Sequence, residues 1–187
     1  MKQIKGLILL ADGFETVEAL MSYDLFLRAG MSVDLISISD NLMVSASNGL
    51  KVASNGLLMD TIDKLSDYDF IVLPGGKRGT DNLAASPLVE KALSIMVKDN
   101  KLLAAICAAP SVLLKYGYLK DLEYICFPGF ENPHMGIYKE DETVVVTPKI
   151  ITGRSMYWSA DFAEAIIKHF LGQEGLNRIY KGTRGVR

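Results

Sequence analysis

Leu102-Leu103-Ala104-Ala105-Ile106-Cys107-Ala108-Ala109-Pro110 reads as a buried strand that turns sharply into a helix. The run after the charged Lys101 is apolar throughout, as a strand covered on both faces would be. Small residues then let the chain turn, and Pro110 suits the first turn of a helix, where its missing N–H is not needed. Cys107 therefore stands at a strand-to-helix elbow, facing a helix N-terminus whose free N–H groups favour a thiolate. A free cysteine is also commonly a small, inert core residue. Position alone leaves both readings open.

Outward from this elbow, strand-like runs alternate with helical patterns. Residues 4–11 read as a strand. Residues 15–29 read as a helix, with Val17, Leu20, Met21, Leu25 and Phe26 at helical spacing and Gly30 closing it. Residues 32–38 and 69–73 are further strands. Residues 42–58, rich in Ser, Asn and Gly, predict short strands or a hairpin. Residues 87–98 and 111–116 are helical, 123–127 a short strand, and 143–147 with 150–152 a hairpin or pair of strands. Residues 159–171 form a last amphipathic helix, and 175–187 a basic, Gly-containing tail. This order predicts one α/β domain over residues 1–187, with a mostly parallel sheet and helices on both faces. Ligands in such folds gather at the carboxyl ends of the strands.

The composition fits a folded globular protein: 187 residues, 49% hydrophobic and 22% charged. A formal charge of −2 gives no global attraction to nucleic acid or to an anionic membrane. The first residues lack the apolar core of a secretory signal, and no apolar run is long enough to span a bilayer. Two cysteines make no disulfide framework, so a cytoplasmic protein with reduced thiols is expected. There is no C-x-x-C or H-x-x-x-H spacing, no P-loop and no dinucleotide fingerprint, so neither metal nor cofactor is expected.

Three segments should end at one edge of the sheet: Asp12-Gly13-Phe14-Glu15-Thr16-Val17-Glu18, Leu73-Pro74-Gly75-Gly76, and the elbow at Cys107. Together with Leu27-Arg28-Ala29-Gly30 and the order of elements, they resemble the ThiJ/PfpI family. The pattern is nearest the subgroup of the parkinsonism-associated deglycase. The resemblance implies a flavodoxin-like three-layer sandwich, usually homodimeric, with Cys107 on a strained elbow and Glu18 touching it. An ionised carboxylate would hold the thiol proton on, so this pair works only if Glu18 keeps its own proton and donates it to sulfur. Gly75 and Gly76 would bring backbone N–H groups to an anion beside the sulfur, together with that of Ala108. Otherwise they simply close a strand. Glu15 reads as a surface carboxylate favoured by the helix dipole.

Departures from the family pattern bear on chemistry. Protease-like members carry histidine directly after the nucleophile, where this chain has Ala108, so a protease is not expected. Deglycase-like members carry histidine before a proline on the next strand, where this chain has Phe127. Asp24 matches an acid that partners that histidine. His134 lies in a loop and His169 late in the last helix; the first would have to swing to reach Cys107. Gly153-Arg154-Ser155-Met156-Tyr157-Trp158 replaces a Gly-Pro-Gly stretch, and its bulk, Arg154 included, should reshape the pocket. Cys126 reads as a core residue first and a resolving thiol second. Three functions remain open: an oxidisable cysteine protein responding to oxidative stress, a glyoxalase- or deglycase-like enzyme adding Cys107 to a 2-oxoaldehyde, and a chaperone-like dimer with basic Lys181, Arg184 and Arg187 in its tail. The partners implied are a small carbonyl or oxidant and a second copy of the chain.

Overall fold

The computed structural model describes residues 3–132 and 134–185. Expectations that fall on Met1, Lys2, Pro133, Val186 and Arg187 lie outside them. Strands β1 (Lys5–Leu10), β2 (Ser32–Ser37), β3 (Met43–Ser45), β4 (Lys51–Ala53), β5 (Gly56–Leu57) and β6 (Phe70–Leu73) precede the elbow strand β7 (Leu102–Ile106). After it come β8 (Glu123–Tyr124), β9 (Ile137–Tyr138), β10 (Val144–Val146) and β11 (Ile150–Gly153). The helices are α1 (Thr16–Arg28), α2 (Leu58–Thr61), α3 (Lys77–Ala85), α4 (Pro87–Lys98), α5 (Pro110–Lys115) and α6 (Ser159–Thr183).

The main sheet has the order β10-β11-β7-β6-β1-β2-β5 and is parallel except for the β10–β11 pair. Side chains alternate across it. Leu7 and Leu9 face a core closed by α2, α3, α4 and α5, while Ile8 and Leu10 face a second core closed by α1 and α6. β1, β6 and β7 read apolar without a break because both their faces are covered. The result is the flavodoxin-like α/β sandwich that the order of elements predicts. The helix over α1 buries Ala19, Ser22, Leu25 and Phe26 at helical spacing, and Phe26 meets Phe70 edge-on at 5.2 Å.

Some elements differ from the sequence reading. α3 was not foreseen: it buries only Gly79, Thr80 and Leu83, so it shows almost no apolar stripe. The strand expected over 123–127 ends at Tyr124 and pairs with β9 in a separate two-stranded sheet. Beyond it, the Ile125 N–H goes to Thr152 Oγ1 and the Phe127 N–H to the Cys107 carbonyl. The tail is not irregular. The chain breaks only at Gly172 (φ 60, ψ −158) and is helical again to Thr183, with Leu176 and Ile179 buried on the α1 side. Arg184 holds this segment back onto Glu164 through contacts of 2.9 and 3.0 Å. Among the described residues, no helix is long and apolar enough to cross a membrane.

Candidate active site

Strand order reverses between β1 and β6, and the loops that follow them meet at the carboxyl edge. Glu15 caps α1, its side chain accepting the Glu18 N–H at 2.9 Å, and its own N–H donates to the Gly75 carbonyl at 3.0 Å. The Gly75 N–H in turn donates to Glu18 Oε2 at 2.7 Å. These two bonds tie the Pro74-Gly75-Gly76 loop to the first turn of α1. A Cβ on Gly75 would lie 2.7 Å from the Cys107 Cβ and 2.7 Å from Glu18 Oε2, so only glycine permits this approach.

Cys107 follows β7 directly with φ +63, a left-handed backbone seldom taken by residues other than glycine. Such a conformation costs on the order of 1–3 kcal/mol and persists when its surroundings fix it. Here the Cys107 N–H donates to the Gly153 carbonyl at 2.9 Å, and its carbonyl accepts the Phe127 N–H at 2.8 Å. The elbow is thus gripped from β11 on one side and from the segment after β8 on the other. The thiol is half-buried, and the backbone N–H groups of Ala108 and Gly76 point at its sulfur.

Glu18 is fully buried and lies against the thiol. Its Oε1 is sealed from solvent and has no hydrogen-bond partner among the described residues. Burial pushes this carboxyl up to about 7, against the opposing pull of the Gly75 N–H and the thiol, with Glu15 adding a smaller push upward. An ionised Oε1 would meet neither water nor a donor, so this oxygen is where a proton is best kept. Burial pushes the Cys107 thiol up to about 12, and the charge and hydrogen bonding of an ionised Glu18 push the same way, while the Ala108 and Gly76 N–H groups pull it down. The two groups titrate as a coupled pair that passes from two protons to one at about pH 7, the thiol keeping the remaining proton. The helix terminus expected to acidify the thiol is slight: α5 has six residues, and desolvation outweighs it. Negative charge on sulfur is met instead by two N–H groups and by the proton of Glu18.

The structure therefore brings together Cys107, Glu18, Gly75, Gly76 and Ala108, with the roles of the two glycines separated. Gly76 faces the sulfur, whereas Gly75 holds Glu18. Glu15 acts on the site as the α1 cap. Phe127 reaches the elbow through its backbone, and its exposed ring lies 6.5 Å from that of Phe130. Asp24 is not at this site. It is exposed and paired with Arg28 at 2.6 Å on the outer side of α1. His134 is exposed, its N–H taken by Asn132 Oδ1, and no hydrogen bond among the described residues joins it to Cys107. The Arg154 guanidinium turns to the Glu140 carbonyl at 2.7 Å. Cys126 is a free, fully buried thiol in the core on the opposite sheet face from the one Cys107 packs against. The grip of Gly153 and Phe127 on the elbow was not legible in the sequence. Among the described residues, no group of three or more His, Cys, Asp or Glu side chains is placed to hold a metal ion.

A flavodoxin-like sandwich with a left-handed cysteine between a glycine loop and a buried carboxyl defines a class of cysteine-elbow proteins. Residues 4–169 match the DJ-1/PfpI family, and the chain belongs to that family. It is 32% identical over 173 residues to the Parkinson disease protein 7 homolog of Danio rerio, covering 91% of each. It is 30% identical to the glutathione-independent glyoxalase DJR-1.2 of Caenorhabditis elegans, covering 96% of this chain and 95% of that protein. With protein DJ-1 homolog B of Arabidopsis thaliana it shares 33% identity, but spans only 40% of that relative's length. The crystal structure of Drosophila melanogaster DJ-1beta superposes with a TM-score of 0.91 at 29% identity, covering 97% of both chains. An oxidised DJ-1 of Toxoplasma gondii gives a TM-score of 0.88 at 28% identity, covering 96% of this chain and 97% of that one.

Proposed function

We propose that this chain is an oxidisable-cysteine protein of the reduced cytoplasm, in which hydroperoxides convert Cys107 to a retained sulfinate. The observation that carries the reading is the convergence of the Gly76 and Ala108 N–H groups and the Glu18 carboxyl on one sulfur. In the first step the ionised Glu18 carboxylate takes the thiol proton, the sulfur attacks one peroxide oxygen and the O–O bond breaks. Sulfur gives up two electrons, and the departing alkoxide or hydroxide takes a proton from solvent. A second hydroperoxide repeats this on the sulfenate, giving sulfinate and alcohol or water. The Glu18 proton and the two N–H groups then hold the sulfinate oxygens, which slows the irreversible third step.

Peroxide titration followed by intact mass and peptide mapping tests this. Two oxygens should accumulate on Cys107 in the wild type, whereas Glu18→Leu should stall at sulfenate or run on to sulfonate. Equal oxidation of Cys107 and Cys126 would overturn the reading.

A second reading is favoured by the relative named as a glyoxalase and by the same N–H pair. The Cys107 sulfur would add to the aldehyde carbon of a 2-oxoaldehyde, with the new alkoxide held by the Gly76 and Ala108 N–H groups and protonated by Glu18. A histidine is worth roughly 10²–10⁴ in rate to such a step, and Phe127 supplies none. Slow methylglyoxal turnover that vanishes in Cys107→Ala supports this second activity; turnover equal to that of Cys107→Ala removes it.

A further inference from the structure

A cavity of about 380 Å³ opens at the carboxyl edge of β1 and β2, and neither Cys107 nor Glu18 lines it. Its walls come from that loop, from the end of β2, and from the α3–α4 junction at Ser86. The volume falls within the range of small-molecule sites, and the carboxyl edge beside a reversal of strand order is where open α/β sheets bind ligands.

Arg78 supplies the charge. Among the described residues its guanidinium has neither an ion-pair nor a hydrogen-bond partner, because the neighbouring acid Asp81 is taken by Lys77 at 2.7 Å. The stem of Arg78 is nonetheless fixed. A Cβ on Gly13 would lie 2.6 Å from the Arg78 Cβ and 2.9 Å from its Cγ, so the arginine occupies the place that a side chain at residue 13 would need. The Gly79 N–H locks this approach through the Gly13 carbonyl at 3.2 Å, and Asn82 Nδ2 does so through the Asp12 carbonyl at 2.8 Å. A seated guanidinium with all its donors free is a fork for a carboxylate or phosphate.

The rest of the lining favours one kind of oxyanion. Ser86 Oγ accepts from the Val89 N–H, which leaves its own hydrogen to donate. Asp12 Oδ1 accepts the Ser45 N–H at 2.8 Å, and its second oxygen is left to accept from a hydroxyl. Ser39 lines the β2 side, its hydroxyl already engaged by the Asn41 backbone and Ser37 Oγ. We propose that this cavity is a separate binding site for a small phosphorylated polyol, its phosphate held by Arg78 and Ser86 and a hydroxyl by Asp12. The site stands independently of the chemistry at Cys107.

The test is titration of the isotopically labelled full chain by NMR with ribose 5-phosphate, inorganic phosphate and ribose. Ribose 5-phosphate should move the amides of Ser39, Arg78 and Ser86 saturably at millimolar concentration, phosphate more weakly at the same amides, and ribose not at all. Arg78→Gln, with its thermal midpoint matched to the wild type, should weaken ribose 5-phosphate binding roughly tenfold or more, and Arg78→Lys less. Absence of saturable shifts, equal binding by Arg78→Gln, or ribose as effective as its phosphate would overturn the proposal. Inorganic phosphate binding as tightly as ribose 5-phosphate would overturn its polyol half.

Discussion

Replacing Glu18 by Gln keeps the shape of the side chain and an acceptor for the Gly75 N–H, but removes the group that titrates. Burial raises this carboxyl from an ordinary 4.5 to about 7, so the folded chain binds the proton more tightly than the unfolded one. Stability from this source is fully present below about pH 4.5 and is lost as pH rises through about 7. The difference corresponds to about 3 kcal/mol. For a chain of this size that is roughly 6–12 °C in Tm. Thermal unfolding of wild type and Glu18→Gln in parallel from pH 4.5 to 8 isolates the effect, since other carboxylates cancel and the Cys107 thiol, pushed up to about 12, stays protonated in this window. The two proteins should be close in stability at pH 4.5, with Glu18→Gln the more stable by pH 8. A difference that stays flat across the range would mean that Glu18 is ionised in both states, and the proton-sharing pair would fall with it.

Gly75→Ala drives a methyl within 2.7 Å of both the Cys107 Cβ and Glu18 Oε2 and 2.9 Å of the Ile106 carbonyl, so it should lower stability by about 1–3 kcal/mol and slow peroxide oxidation of Cys107. Urea unfolding and mass mapping check both. Because position 107 has φ +63, Cys107→Gly should be more stable than Cys107→Ala by about 1 kcal/mol, measurable by the same denaturation. Iodoacetamide should label one thiol per native chain, at Cys107, and a second only in denaturant, because Cys126 is fully buried. Rapid native labelling of Cys126 would contradict the packing.

The sheet was legible wherever covering on both faces forces an uninterrupted apolar strand, as in 70–73 and 102–106. α3 was not, because it rests on Gly79 and Thr80 and its one large buried side chain is Leu83. The last helix was expected to end at residue 171, and the backbone does break at Gly172, but the basic tail beyond it is helical, with Gly175 packed against Leu171 and Ile167. At the site, Cys107, Glu18 and the glycine loop could be named from residue type and motif. The division of labour between Gly75 and Gly76 depends on which way each N–H points, and the placing of Asp24 on an outer helix face depends on packing. Neither is written in residue type.

The backbone of Cys107 is pinned at both ends, to Gly153 and to Phe127. A modified sulfur on so rigid a post has no means of relaying its state through main-chain movement. Under the proposed function, whatever senses the change would have to touch the added atoms themselves.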